Sequence, residues 1–590
     1  MQNLSSFYTS EIEKYTQELS TIKKQLFASS MIRLCVFVLA IFGIYFFFGN
    51  AKLTLGVLLL TIVVFLVLVS RHSNLQYKRD KLKAIIAINA TELKVLKREF
   101  HELPTGNEFK DTLHHFSQDI DLFGLGSFYQ YINRTALVQG SETLAKIFKA
   151  NTIEAIELKQ QAIQELGEMP KWRQEFSAIA SLAKTETSTG TIKKWLEGYT
   201  AFIPSVMKFL PMVFSVISTL ITAAFFLGYL SEFILVYWLI FGLVISGIYS
   251  RNITQLASAS TKTHSTFQQY NKLLTSIEDK EFKSSLLQEK KKSIMSSGQK
   301  VSSILQEFSK LLGNLDQNNN IFYLIFGNGL FLRGLATSYK VEKWIATHGS
   351  SVEIWFDAIA FFDAYNSLGN FTFNHPEYTF PKISNNDTTL KSTGAGHPLL
   401  NPEKSVLNDF QIDADQFFII TGANMAGKST FLRTVSLQIV MANVGLPLCA
   451  KEVAYSPIKL ITSMRTTDSL TDDESYFFSE LKRLKFVVDE IQKDNYFIVL
   501  DEILKGTNST DKAEGSRKFV ERLVNSKSTG IIATHDLSLC ESANDFKQIR
   551  NHYFDAEIID NELHFDYKFK NGICQNMNAS FLLKKMEIVE

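Results

Sequence analysis

The chain has 590 residues, more than one hydrophobic core usually organises, so two or three domains are expected. Its 61 basic and 60 acidic residues leave a net charge of +1, which excludes a global electrostatic pull toward nucleic acid and leaves room only for a local basic patch. The four cysteines, Cys35, Cys449, Cys540 and Cys574, form no Cys-x-x-Cys pair, which excludes a disulfide framework and a zinc cluster and suits a reducing cytosol.

Residues 1–30 are mostly polar and read as an N-terminal cytoplasmic helix. Two uncharged apolar runs follow within 31–70, Leu34 to Gly49 and Leu53 to Ser70, separated only by Asn50, Ala51 and Lys52. Each approaches the ~20 residues that cross a bilayer core. Residues 71–117 read as a helical linker leaving the membrane, broken by Pro104, Thr105 and Gly106. The segment 118–390 is helical in pattern and holds a second apolar pair at 209–250, Phe209 to Leu230 and Phe233 to Ser250. The short connections require each pair to turn back as a hairpin. Buried core helices are the alternative, but uncharged runs of this length are rare in soluble domains. Lys23, Lys24, Arg33, Arg71, Lys78, Arg79, Lys193, Lys194, Lys208 and Arg251 flank the outer sides of the hairpins, whose tips carry almost no basic residue. By the positive-inside tendency, four spans with both termini in the cytoplasm are expected, in a membrane such as the bacterial inner membrane. From Arg251 to about Leu315 one or two very long helices are expected, with Lys290, Lys291 and Lys292 as a solvated charge run. Phe373 to Gly396 shifts to Pro, Asn, Thr and Gly and reads as a linker. The last segment, 391–590, alternates short β-rich runs (Phe417 to Thr421, Phe497 to Leu500, Gly530 to Ala533) with helical ones, the pattern of an α/β domain.

Three motifs in that domain carry chemistry. Gly422-Ala423-Asn424-Met425-Ala426-Gly427-Lys428-Ser429, continued by Thr430, fits G-x-x-x-x-G-K-[ST] between a predicted strand and a predicted helix. Glycines there let backbone N–H groups wrap phosphate oxygens at a helix N-terminus. Lys428 is expected to reach the outer phosphates and Ser429 to offer a hydroxyl to Mg²⁺. Tyr496 to Leu500 then runs as an apolar strand into Asp501 and Glu502, one carboxylate to hold Mg²⁺ and one to activate the attacking water. Ile531-Ile532-Ala533-Thr534 leads into His535, a candidate γ-phosphate sensor, although a lone His is more often structural. Together they predict a P-loop, ABC-like ATPase in which two domains enclose ATP.

GANMAGKSTFLRT, LDEILKGTNSTD and ATHD, with Gly396-His397-Pro398 and Asn408-Asp409, resemble the corresponding motifs of the MutS family of mismatch-repair ATPases. Asp468-Ser469-Leu470 and Glu474-Ser475-Tyr476-Phe477, with Glu480, resemble its signature segment. More weakly, Asp121-Leu122-Phe123-Gly124 and Asn133-Arg134-Thr135 with Gly140 look like the start of its helical core. The resemblance implies ATP and Mg²⁺ as cofactors and a homodimer formed through the ATPase domains. It further implies a role for Ser475 in reaching the partner's γ-phosphate, and double-stranded DNA as a partner. A Ser at a helix start is otherwise an N-cap. Two features depart from the family. No aromatic residue precedes Asn408, where Ser405, Val406 and Leu407 stand in place of an adenine-stacking ring. Phe100-His101-Glu102 has no mismatch-reading domain around it. The expectation is therefore a multidomain protein: transmembrane hairpins, a helical core and lever carrying the second hairpin at its far end, and an α/β ATPase domain. Two functions follow, DNA repair at a membrane or mechanical work on the lipid bilayer or a membrane partner.

Overall fold

The computed structural model describes residues 2–183, 188–296, 299–317, 320–384, 386–465, 476–506, 508–559, 562–575 and 587–588. Two continuous helices open the chain, α1 (Gln2–Phe47) and α2 (Ala51–Leu96), each 46 residues long. They invert the usual rule of burial. Their apolar halves are exposed, Phe37 at 55% and Leu60 at 67%, whereas the polar halves are packed against the body. Tyr8 is buried and its hydroxyl donates to Asn374 Oδ1 at 2.6 Å, while Asn89 and Gln174 exchange side-chain hydrogen bonds. Both helices are long and apolar enough to cross a membrane.

Small helices then build a core: α3 (Val138–Lys149), α4 (Ile156–Gly167) and α5 (Pro170–Ser181). The second apolar pair is shorter than the first, with α6 (Leu210–Phe226) and α7 (Glu232–Ile248) of 17 residues each. Pro211 sits in the first turn of α6, where its missing N–H costs nothing. A 68° bend separates α7 from α8 (Ser250–Glu278), so this pair adds one further span only if the bent helices count as one. Its buried cluster, including Ile203, Met207, Phe214, Ile253, Leu332 and Leu335, contains no described residue of the C-terminal domain. The stretch expected to hold one or two long helices holds two: the chain folds back between 279 and 300 through a short helix bearing Lys290 to Lys292, and α9 (Val301–Asp316) runs along α8. Aromatic packing fixes that return, with Phe267 edge-on to Phe308 at 4.9 Å and Phe308 stacked on Trp344 at 3.7 Å. Trp344 belongs to α10 (Arg333–His348), and α11 (Val352–Asn374) runs buried through the core. Phe100 is buried against Tyr131 at 5.0 Å, a core residue.

The C-terminal domain begins earlier than its composition suggests. Within the expected linker, β1 (Lys382–Ile383) and β2 (Thr388–Ala395) already pair with β5 (Glu452–Tyr455), and β2 also pairs with β3 (Asn408–Asp413). The main sheet holds β4 (Phe417–Gly422), β6 (Lys459–Ser463), β7 (Tyr496–Asp501), β8 (Thr529–Ala533) and β9 (Ile549–Phe554). With the edge strand β12 (Lys570–Asn571), its order is β12-β9-β4-β8-β7-β6, parallel except at β12. The hairpin of β10 (Ala556–Ile559) and β11 (Glu562–Phe565) precedes β12. Helices α12 (Lys428–Val444), α13 (Tyr476–Glu490) and α14 (Ser509–Asn525) complete the domain. The central strands are fully buried apolar runs, as a parallel sheet covered on both faces requires.

Candidate functional site

The parallel register decides which residues meet. Ala533 pairs with Ile420 on one side and Asp501 on the other, so β4, β8 and β7 end at one level. Ligands of open α/β sheets bind beyond such carboxyl ends. Three of the predicted motifs leave the sheet there.

The loop from Gly422 to Gly427 joins β4 to α12. Gly422 and Gly427 hold φ of 146° and 108°, and a Cβ on Gly422 would lie 2.4 Å from the Phe554 carbonyl oxygen. Met425, a non-glycine at φ 67°, is strained and exposed, as is characteristic of residues at ligand-binding loops. Asn424 is exposed beside it, and Ala423 and Ala426 are buried beneath. Lys428 is buried and its ammonium donates to the carbonyls of Gly422 at 2.7 Å and Ala423 at 2.9 Å. Burial lowers its pKa against the opposing pull of Asp501 and Glu502.

Ser429 Oγ donates to Asp501 Oδ2 at 2.9 Å, bringing the loop motif and the strand-end motif together. A hydroxyl and a carboxylate oxygen form a hard-donor pair that fits Mg²⁺. Glu502 has φ 52°, and its carboxylate accepts from Lys512 at 3.1 Å with Lys505 at 3.8 Å. Burial would raise its pKa, but these lysines and His535 overcome that and lower it. His535 is half-buried with Lys428, Glu502, Asp501 and Lys512 in its field, and its pKa falls, chiefly through burial. Lys505 lies within the LDEILKGTNSTD segment without an assigned role, and Lys512 follows it directly. Only the fold shows that they hold the second carboxylate. Ser475, with 468–470 and Glu474, lies outside the described residues. Glu480 on α13 is buried and accepts the Lys505 N–H at 3.0 Å, bracing the loop after Glu502.

Beside the loop lies a cavity of about 240 Å³, whose walls include Val406, Asn408, Thr430, Phe554 and Tyr567. Tyr567 abuts Gly427, where an added Cβ would meet its ring at 3.2 Å. Asn408 holds this segment, its amide donating to Tyr567 O at 3.0 Å and its carbonyl accepting from Phe569 N at 2.8 Å. The sequence reading missed Tyr567. Its only signal was the alternating Phe565, Tyr567 and Phe569.

The site is wired to the helical core. Arg483 on α13 donates to the carbonyls of His114, His115 and Thr462 at 3.0, 2.7 and 2.7 Å. Asp119 accepts from Thr462 Oγ1 at 2.5 Å and from Arg465 N at 2.9 Å, and Arg465 forks onto Asp121 at 2.6 and 2.7 Å.

A parallel-sheet domain with a glycine loop, a hydroxyl–carboxylate pair and a second acidic residue at its strand ends defines the class: an α/β ligand-binding domain joined to a helical body. The comparisons carry it further. Residues 418–587 match the family model MutS domain V. The human MutS protein homolog 4 is 28% identical over 223 residues, 36% of this chain and 23% of that protein. The DNA mismatch repair protein MSH4 of Arabidopsis thaliana is 27% identical over 216 residues, 35% of this chain and 27% of the relative. The DNA mismatch repair protein MutS of Clostridium tetani is 29% identical over 274 residues, 45% of this chain and 29% of the relative. The chain thus spans less than a third of the length of these relatives. Its C-terminal domain matches the MutS domain V family over residues 418–587, and the relatives it resembles are MutS-family proteins.

Proposed function

We propose that the protein is a membrane-attached ATPase that hydrolyses ATP as a dimer and transmits the resulting motion through its helical core to the bilayer. The observation that carries the ATPase reading is the 2.9 Å contact between Ser429 and Asp501 beneath a glycine loop. The loop N–H groups and the positive end of α12 would cradle the phosphates, and Lys428 would leave its carbonyl partners for phosphate oxygens. Ser429 and Asp501 would hold Mg²⁺, which supplies positive charge against the phosphate oxygens. Glu502, released from Lys512, would accept the proton of the attacking water, and His535 would sense the outer phosphate. The cavity walled by Tyr567 would take the base, so adenine stacking comes from the C-terminal segment rather than from a residue ahead of Asn408. Ser475 of the opposite subunit would complete the site.

The membrane part of the reading rests on the exposed, uncharged halves of α1 and α2 and on the shorter pair α6 and α7. The buried cluster beside α6 and α7 holds no described residue of the α/β domain. Orientation follows the positive flanks, with the ATPase domain in the cytoplasm. ATP binding and phosphate release by detergent-solubilised full-length protein test the chemistry; wild-type protein without ATP affinity would refute it. The relatives' names favour a second reading, a DNA-binding role in mismatch repair. Duplex binding that weakens steeply with salt would support it, and no binding at low ionic strength would remove it.

A further inference from the structure

A third apolar element stands beside the second hairpin, and no motif marks it. From Gln317 to Leu332 the sequence carries no charge, between Asp316 at the end of α9 and Arg333 at the start of α10. Tyr323–Gly327 forms a wide helical turn that continues into Asn328–Phe331. Ile321 and Phe322 are 65% and 71% exposed, and Leu324 and Phe326 are also exposed. Several of its described polar groups are nevertheless hydrogen-bonded within the element or to Gly334 just beyond it. Asn320 Oδ1 accepts from Phe322 N at 2.9 Å, the Asn320 carbonyl accepts from Leu324 N at 2.8 Å, and Asn328 Oδ1 accepts from Gly334 N at 2.7 Å. Apolar side chains outward over a backbone satisfied from within is the arrangement hydrocarbon tolerates.

The element is seated on the hairpin. A Cβ on Gly242 of α7 would lie 2.0 Å from the Gly329 carbonyl oxygen, so only glycine permits this approach. Ser215, one turn into α6, reaches the Phe331 carbonyl at 3.4 Å. The exposed rings therefore continue the apolar surface of Val213, Val216, Phe241 and Val244. Residues 320–331 amount to about 18 Å at helical rise, short of the ~30 Å hydrocarbon core. Entry along α9 and exit along α10 lie on the same side, because Phe308 and Trp344 stack between those helices.

We infer that residues 320–331 are a re-entrant wedge inserted among the lipid acyl chains of the cytoplasm-facing leaflet, beside α6 and α7. The inference rests on the proposed membrane reading and adds to it a shallow lipid-binding element. Because α10 leads through α11 to the α/β domain, the wedge is the membrane contact next in sequence to the ATPase.

The test places an environment-sensitive fluorescent amino acid at position 322, 216 or 293 of the full-length protein in liposomes. The lipids carry spin-label quenchers either near the headgroup or near the acyl end. Fluorescence is expected to be lost at 216 and 322 and kept at 293, with the headgroup-side quencher the stronger at 322. Loss at 216 but not at 322 would overturn the wedge and leave the membrane reading standing. No loss at either position would remove the membrane reading itself. Protection of 322 from both lipid quenchers and aqueous iodide would mean that protein covers it, which also overturns the inference. Gly242→Leu should abolish quenching at 322 while keeping it at 216; unchanged quenching at 322 would refute the glycine seat.

Discussion

In the α/β domain, position is set by strand register: Ala533 stands level with Ile420 and Asp501, and loops leaving that level cannot avoid one another. In the second apolar hairpin, position is set by packing, a glycine against a carbonyl and a ring against a ring. Backbone register writes itself into short motifs, because each loop needs particular residue types at fixed offsets. Packing leaves almost no motif, because many apolar residues serve equally. The two regions should therefore respond to mutation differently, point changes at strand ends removing chemistry and changes in the core altering stability.

The largest effect is expected for Glu502→Gln, which should slow ATP hydrolysis by about 10²- to 10⁴-fold while ATP affinity stays nearly unchanged, measured by phosphate release and calorimetric titration. Persistent turnover would break the assignment of strand-end chemistry. Lys428→Ala should weaken ATP binding by roughly 100-fold, the scale of a charged hydrogen bond lost from a buried site. Tyr567→Ala should weaken ATP binding by about tenfold, and Tyr567→Phe should be near neutral, because stacking on a base contributes ~1–3 kcal/mol and needs only the ring. Equal losses for both variants would move the base elsewhere.

A smaller, pH-dependent effect should come from the core. His375 is buried with Nδ1 2.8 Å from the Phe371 carbonyl and Nε2 2.8 Å from the Tyr131 hydroxyl, a pairing that suits the neutral ring. Burial, helped by Arg98 and Arg134, lowers its pKa from 6.5 to about 4. Below 6.5 the unfolded chain binds the proton that the folded state refuses. Stability should therefore fall as pH drops from 6.5 toward about 4, by up to ~1.4 kcal/mol per pH unit. Urea unfolding of wild type and His375→Asn across that range checks this. An equally steep slope in the variant would assign the loss to other groups.

Much of the site was legible because glycine loop, acidic pair and His535 each follow an apolar strand. The loops themselves do not reveal that Glu502 is tied to Lys512, since that pair depends on how α14 lies after the sheet forms. Tyr567 was hidden for the same reason, reaching Gly427 only through the hairpin between β9 and β12. In the helical body, uncharged runs were plain, but fold-back between 279 and 300 was not, because the pairing of Phe267 with Phe308 is a long-range choice. The wedge escaped notice because its run is shorter than a span. The early start of the C-terminal sheet was masked by Pro, Asn and Thr, which suit edge strands as well as linkers.

Two of the long helices that leave the apolar runs, α1 and α8, have matched reach. Along α1, Tyr8 at the Asn374 joint stands about 39 Å from Leu34, where the uncharged run begins, at 1.5 Å per residue. Along α8, the 29 residues from the bend to Glu278 cover about 43 Å. On the proposed membrane reading, these two struts of nearly equal height would hold the helical core off the lipid surface like the legs of a table. Altering the length of one leg alone should tilt the tabletop instead of raising it.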